Sequence, residues 1–545
     1  MAAHERLSLH TSIAHHILTD QYAKVLTKGA TFKLYHVSTP PSRSPALYSA
    51  LPGERPDRTY CESHFLAASI NPGSNATKDG IEQGSEVLVY GLEVLIYSTA
   101  FSTTFFVSKA DSTGYLKLLN LPKGSPSPLK DISATFLSHL IERRKRPGTR
   151  SILSLFARAQ GQYLFPGSSD NKGKHVLDDR ELIKWWCRVL NPLLETNKDI
   201  RATTADDTER WGSIHGYLKV PGLDDHDIKS YLPRVREPSA YTSWTVGHPL
   251  QNLSRYTAAP PRCLVPRFPD DPKSRFLDEL DDELSIAQGK AVSGEWRSVK
   301  TLDQFWEMMA FRQECSAGRL VGFIWIVFEP ITRPLPEDPE SAGSQTSVAS
   351  TTSGIPDGDD TLPDLPSLPH ATFTPDTSFV ASSQVGPTSS PYKLRRAEPD
   401  LSNHAAASTK AKPRKKKRLS GPIIPRQPRV KTQNRLYSLE RPERTPYYIW
   451  PPDSRGQIVL DEKDYSRMTE LLLRLDFTNI DLAIGSTARW ISEVRSGPST
   501  NANNGWGAPV TGTKVFEIKN EDARSGVRTL NVGLVRKKRK VDAEP

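Results

Sequence analysis

Cysteine is scarce: four in 545 residues, Cys61, Cys187, Cys263 and Cys315, with no CxxC pair and no close Cys/His spacing. That argues against a disulfide framework and a structural zinc site, fits a reducing compartment, and leaves no metal expected. No apolar run is long and charge-free enough to span a membrane, and the N-terminal MAAHERLSLHTSIAHHIL lacks a cleavable-signal pattern. The chain reads as soluble and intracellular. The common phosphate cradles and nucleophile elbows are missing too. There is no GxGxxG after a strand, no GxxxxGKS/T, no GxSxG, no HExxH, and no Q/RxxGxG/A loop of the common N-acetyltransferase fold.

Apolar residues are also few, at 37% with a mean hydropathy of −0.50, so part of the chain cannot be buried. The net charge of +10 is concentrated in two runs, seven cations within 410–418 and five within 536–540. Without them the remainder is close to neutral, which argues against a nucleic-acid-binding face and for no sequence-specific nucleic acid partner. PRKKKR at Pro413–Arg418 and RKKRKV at Arg536–Val541 read as nuclear import signals, or as tails that contact an acidic histone chaperone or nucleic acid.

What is present reads as α+β, a central mixed sheet surrounded by helices. Val87–Val107 predicts two strands joined near Ser98–Thr103, followed by a polar KADSTG turn at Lys109–Gly114. Asp131 can cap a helix with Ile132, Phe136, Leu137, Leu140 and Ile141 on one face, stopping at Pro147 and Gly148. Ser151–Phe156 and Tyr163–Phe165 read as short buried strands. Asp178 or Asp179 can cap a helix running to Pro192. Helices at Ser274–Gln288 and Thr301–Glu314 and a strand at Arg319–Glu329 complete the first part. The predicted organisation is a main part over 1–331, a disordered Pro/Ser-rich insertion over 332–445, a helical part over 446–497 and a flexible tail over 498–545. In the helical part, Met468, Leu471, Leu472, Leu475, Leu482, Ile484, Trp490 and Ile491 are expected to pack together. NNGWGAPVTG in the tail reads as loop.

Two stretches could carry chemistry. Leu155–Trp186 interleaves Tyr163, Phe165, His175, Trp185 and Trp186 with Arg158, Lys172, Lys174 and Lys184. Aromatic walls beside cations suit a long, partly apolar, phosphorylated ligand; a strand–loop–helix that is merely aromatic-rich is the plainer alternative. In PDDPKSRF, Asp270 and Asp271 sit between prolines, with Lys273 just after. A held aspartate there could act as a base, or could simply form an Asx turn that caps the next helix. Asp111 is a third carboxylate, and His175 alone reads as packing or a hydrogen-bond donor.

LFARAQGQYLFPGS, KHVL, LIKWW, FVSKADSTGY and FPDDPKSRF, in their relative order along the chain, resemble the fungal histone H3 lysine-56 acetyltransferases. These are chaperone-dependent enzymes whose fold is similar to that of the metazoan coactivator acetyltransferases. The resemblance covers blocks from about Leu88 to Phe328, and more weakly the helices after Tyr447 and the basic tail. It implies acetyl transfer from acetyl-CoA to lysines of histone H3, in replication-coupled nucleosome assembly and the DNA damage response. By resemblance Asp271 is the catalytic acid/base with Asp270 beside it, and Lys273 is autoacetylated, buried and close to Asp111. Tyr163 and Trp186 line the path of the substrate lysine. Ala110, Phe156, Arg158, Gln160, His175, Val176, Leu177 and Trp185 contact acetyl-CoA.

The partners so implied are histone H3–H4 and an anti-silencing-type histone chaperone, in the nucleus, with no membrane. A nucleosome-assembly-type chaperone is a further implied partner. Some members dock it through a long insertion after the helix matching Asp131–Arg144, where this chain has only ERRKRPGTR. Two rivals predict otherwise: a catalytically weak chromatin or chaperone adaptor, and a nucleic-acid-binding protein whose affinity falls steeply with salt.

Overall fold

The computed structural model describes residues 18–72, 85–122, 124–195, 211–233, 243–254, 259–286, 295–312, 319–331, 441–496 and 506–515. The predicted pair of strands forms an antiparallel hairpin, β4 (Val87–Ser98) and β5 (Ser102–Ser112). β5 runs parallel to β6 (Arg150–Ala157), and β6 lies antiparallel to β9 (Gly322–Pro330). Beyond β9 come β7 (Trp211–Lys219) and β8 (Trp244–Val246). On the other side of β4 lie β3 (Thr59–Ile70), which also pairs with β2 (Ser42–Ser44), and then β1 (Thr31–Ser38). The far edge of β1 is covered by two late strands, β10 (Ile458–Val459) and β11 (Ala508–Thr511). Covering that edge removes a row of unpaired backbone groups from solvent. The result is one mixed sheet among the described residues, the α+β architecture expected.

Successive side chains on a strand point to opposite faces, which divides the core in two. Leu153, Leu155, Ile324 and Ile326 join the larger cluster, whereas Ile152, Phe323 and Trp325 join a second one. The larger cluster takes in α1 (Pro128–Arg143), α2 (Asp179–Glu195), α5 (Glu462–Leu472) and α6 (Ile480–Arg495). The second is built with α3 (Ser274–Ile286) and α4 (Leu302–Ala310). Burial on both faces explains why GFIWIVF in β9 is apolar without alternation.

Several elements differ from expectation. Lys109–Ser112 completes β5 because it pairs with Tyr90–Glu93, so KADS is strand and the chain leaves the sheet only at Thr113. Tyr163–Phe165 forms a turn, its N–H groups held by a side chain and not by a neighbouring strand. Ser127 is the N-cap of α1, with Asp131 inside the first turn, yet the predicted face Ile132, Phe136, Leu137, Leu140 and Ile141 is buried. In α2 the cap is Asp178, which accepts from Glu181 N at 2.7 Å, and the helix continues through Pro192 to Glu195. In the later helices Met468, Leu472, Leu475 and Trp490 are buried, but Leu482 is 46% exposed.

The tail also departs from expectation, since GAPVTG provides β11. There Trp506 is buried against Tyr35, and Gly507 at φ 95° sits where a Cβ would strike the Tyr35 ring. The described residues resume at 441, within the predicted insertion, where Arg444 bridges to Ile449. Residues 332–440, with the first basic run, and 516–545, with the second, lie outside the described residues. No helix among the described residues is long and apolar enough to cross a membrane.

Candidate active site

β5 and β6 lie side by side and in parallel, so their C-terminal halves and the chain just after β6 open onto the same end of the sheet. There a cleft of about 90 Å³ is lined by Phe106–Ala110 of β5, Leu155 and Phe156 of β6, and Arg158, Gln160 and Tyr163 of the turn after it. Leu182 and Trp186 of α2 and Pro269, Asp270 and Pro272 close it. The walls mix apolar side chains with Ser108, Lys109, Arg158, Gln160, Tyr163 and Asp270 in nearly equal measure. The hydroxyl of Ser108 is buried there with no hydrogen-bond partner, a vacant polar position of the kind that orients a ligand.

Asp111 shapes the wall that carries Tyr163. Its Oδ2 accepts the N–H groups of Tyr163, Leu164 and Phe165 at 2.7, 2.9 and 3.3 Å, and Oδ1 accepts from Ser112 N and Lys174 Nζ. One carboxylate thus supplies the acceptors that a strand partner would have supplied. Gly91, opposite Asp111 on β4, lets this turn approach: a Cβ there would lie 3.0 Å from Leu164 Cδ1. The turn is closed from its other end by Asp179, which accepts from Ala159 N, Leu320 N and Arg319 Nε. Against the upward pull of burial, Arg319 and these N–H groups hold the Asp179 carboxyl below its ordinary value.

Asp271 and Lys273 form a second, buried unit at 5% and 2% exposure. Lys273 Nζ donates to both Asp271 oxygens at 2.8 and 2.7 Å, and Lys273 N donates to Oδ1 at 2.9 Å. The latter bond is the Asx turn anticipated for PDDPKSRF, at the start of α3. Lys273 Nζ also lies 4.5 Å from the centre of the Phe156 ring and 5.3 Å from that of Phe323. Burial pulls the Lys273 ammonium below its ordinary value, partly opposed by Asp271.

Asp270 differs from its neighbour in every respect. Its backbone is left-handed at φ 52°, its side chain is 59% exposed, and it lines the cleft, which Asp271 does not. Few non-glycine residues adopt such a conformation, and those that do are often held there by their surroundings. Tyr163 is half-buried nearby; burial and then Asp270 push its phenol up, while Lys109 and Arg158 pull it down.

Of the residues singled out in the sequence, Ala110, Phe156, Arg158, Gln160, Tyr163, Trp186 and Asp270 meet at the cleft. His175 and Val176 are exposed, Leu177 is half-buried, and Trp185 stacks edge-on against Trp186 at 4.9 Å; none of the four lines it. The expected proximity of Lys273 to Asp111 is not found in the hydrogen bonding. The Asx turn delivers Asp271 to Lys273, and Asp111 is taken by Lys174. Lys174, grouped with the ligand-facing cations, is therefore committed inside the protein, with a second bond to Ser168 Oγ at 2.8 Å. Sequence reasoning missed Ser108 and Lys109, although both stand in FVSKADSTGY. It gave Glu93, the one charge within the apolar Val87–Val107 stretch, no role at the site. An acid in such a run, facing a lysine across a hairpin, was the available signal.

The chain is similar to known proteins over most of its length. The family model described as "Histone acetyltransferase KAT11-type domain" matches residues 18–152 and 146–493. Histone acetyltransferase rtt109 of Aspergillus flavus is 40% identical over 544 residues, covering 96% of this chain and 89% of that protein. The protein of the same name from Schizosaccharomyces pombe is 32% identical over 56% of this chain and 70% of its own length. The crystal structure of Rtt109 from Aspergillus fumigatus superposes with a TM-score of 0.61 at 39% identity, covering 92% of this chain and all of that one. Such chemistry takes its acetyl group from acetyl-CoA and its acceptor from histones. A fold and a family match that continue on both sides of residues 332–440 lead to one conclusion: the chain belongs to the KAT11-type histone acetyltransferases.

Proposed function

We propose that this histone acetyltransferase modifies lysines of histone H3, core lysine 56 and N-terminal tail lysines among them, and that it acetylates itself at Lys273. The observation that carries the reading is the convergence of Tyr163, Trp186 and Asp270 on one narrow cleft. A lysine ammonium, with a pKa of about 10.4, must lose a proton before its amine can attack a thioester. The apolar walls from Phe156 and Trp186 disfavour the charged form, and Asp270 is a carboxylate at the cleft able to receive the proton. The amine nitrogen then bonds to the acetyl carbonyl carbon, the C–S bond breaks, and CoA leaves as its thiol. In this reading Asp270 faces the substrate and Asp271 supports the site from behind, since both its oxygens are engaged by Lys273.

Arg158, Gln160, Ala110 and Phe156 belong to the acetyl-CoA side of the cleft. His175, Val176, Leu177 and Trp185 extend that side along the surface, where exposed backbone and cations suit phosphates. Acetylation of Lys273 removes the cation of a buried ion pair, leaves one amide N–H to donate to the Asp271 carboxylate, and frees its other oxygen from the lysine. An anti-silencing-type chaperone presents H3–H4, and a nucleosome-assembly-type chaperone is a further partner with a different docking mode. The protein acts in the nucleus, addressed there by its basic runs, and 332–445 is an insertion within one acetyltransferase domain.

The test is mass spectrometry of H3–H4 incubated with acetyl-CoA and the full chain, with and without an anti-silencing-type chaperone. Acetyl-lysine on H3 and at Lys273, both lost in Asp270→Asn, is the expected result. No acetyl-lysine above background on histone or enzyme would leave the adaptor reading instead.

A further inference from the structure

Lys109 stands one residue beyond a β-bulge. Val107 pairs with Val94 and Lys109 with Glu93, which leaves Ser108 as the extra residue. A bulge breaks the alternation of a strand, and here Val107, Ser108 and Lys109 all reach the cleft. Lys109 Nζ donates to Glu93 Oε2 at 2.9 Å and lies 3.6 Å from Asp270 Oδ2. The other Glu93 oxygen accepts from the hydroxyl of Tyr465, on α5, at 3.0 Å. The four groups descend from interior to cleft. Glu93 and Tyr465 are buried at 4% and 6% exposure, the Lys109 side chain is 25% exposed, and the Asp270 side chain is 59% exposed.

We propose that Lys109 is a positioning residue for acetyl transfer: anchored by Glu93, it holds the Asp270 carboxylate at the cleft beside Tyr163. The inference rests on the reading of Asp270 as the cleft-facing carboxylate. An exposed aspartate with a left-handed backbone has no packing of its own to orient it, and a cation tethered from β5 supplies the orientation that reacting groups need. The tether is rigid because Glu93 has a hydrogen bond on each oxygen, one to each side chain it joins. Lys109 is not itself an acceptor. Although burial opposes it, Glu93 and then Asp270 raise its ammonium above the ordinary value, so the amine stays protonated. Through Tyr465 the arrangement also links the segment after residue 440 to the cleft.

Initial rates on saturating H3–H4 over a range of acetyl-CoA concentrations up to saturation, using the full chain, test this with Lys109→Met, Lys109→Arg, Asp270→Asn and the double variant Lys109→Met/Asp270→Asn. Lys109→Met is expected to lower kcat about tenfold while KM for acetyl-CoA stays within about threefold, and Lys109→Arg to recover most of the loss. The double variant should match Asp270→Asn alone within about twofold, because a residue acting through another adds nothing once that residue is gone. Wild-type kcat in Lys109→Met, or penalties that multiply in the double variant, would overturn the proposal. Wild-type kcat in Asp270→Asn would overturn the reading of Asp270 and the proposal with it. Should Lys109→Met fail to fold, Glu93→Gln keeps the cation but loosens its anchor and is judged by the same outcomes.

Discussion

The Asp111 carboxylate and the Lys174 ammonium lie 2.8 Å apart with only 7% and 5% of their side chains exposed. Between them they hold the turn that presents Tyr163, and neither residue lines the cleft. The consequence is that a residue from the middle of a binding motif does its work on the protein's own backbone. Asp111→Ala would orphan three N–H groups and leave Lys174 as an unpaired buried cation. Removing one partner of such a pair costs about 3–5 kcal/mol. Chemical denaturation should show a loss of that size, and Asp111→Asn, which keeps acceptor capacity, should lose less. Equal stability of wild type and Asp111→Ala would contradict the role.

The buried pair of Asp271 and Lys273 predicts an asymmetry among substitutions of Lys273. Lys273→Gln resembles the acetylated side chain: it removes the ammonium while keeping an N–H donor for the buried Asp271 carboxylate. Lys273→Arg keeps the charge but brings a larger planar group against Phe156 and Phe323. Turnover at saturating acetyl-CoA and histone should therefore fall in Lys273→Arg more than in Lys273→Gln. If Lys273→Arg retains wild-type turnover, acetylation of Lys273 does not order the site.

Acid should destabilise the fold in two stages. Burial first, with nearby Arg143, Arg144 or Lys219 adding to it, depresses His64 below its ordinary 6.5, His139 to about 3 and His248 to about 4. Below pH 6.5 the unfolded chain binds protons that the folded chain refuses, so stability present above that pH is lost as pH falls. Glu62 adds a later loss. Although burial opposes it, Arg144 and His64 bring its carboxyl down from 4.5 to about 2, so its contribution disappears as pH falls through that window. Thermal midpoints should decline from about pH 6.5 downward and decline less in His139→Gln. A flat midpoint between pH 7 and pH 4.5 would be incompatible with the depressed protonation of buried His64 and His139 and half-buried His248.

Gly91 should tolerate no branched side chain. A Cβ at 3.0 Å from Leu164 and 3.2 Å from Phe165 forces the turn outward, and overpacking of this kind typically costs about 1–3 kcal/mol. Gly91→Val should lower both the unfolding midpoint and turnover, since the displaced turn carries Tyr163. Gly485→Ala, at an open helical position with nothing within 4 Å, is the control and should do neither.

Local pattern made much of this molecule legible in advance. The hairpin β4–β5, the apolar face of α1, and α3, α4, α5 and α6 arise from periodicity and caps that act within a few residues. What was illegible depends on distant partners. Lys109–Ser112 looks like a polar turn until Tyr90–Glu93 is placed beside it, and GAPVTG looks like loop until the edge of β1 arrives from some 480 residues away. Pro192 fails to end α2 because tertiary packing of Leu193 and Leu194 outweighs the missing hydrogen bond. At the site, motif resemblance singled out residues that meet at the cleft, Ala110, Phe156, Arg158, Gln160, Tyr163, Trp186 and Asp270 among them, while ion-pair partners came only from geometry: Lys273 with Asp271, Asp111 with Lys174, and Lys109 between Glu93 and Asp270.

The central claim is that acetyl transfer takes place in the cleft between β5, β6 and the Asp270 turn. Hydrogen–deuterium exchange of the full chain with and without CoA measures this without altering any residue. Protection is predicted in peptides covering 106–112, 155–165 and 174–178, with the N-terminal ends of β5 and β6, around Ser102 and Arg150, unchanged. Protection confined to that other end of the two strands, or none over 155–165, would contradict the assignment of the cleft.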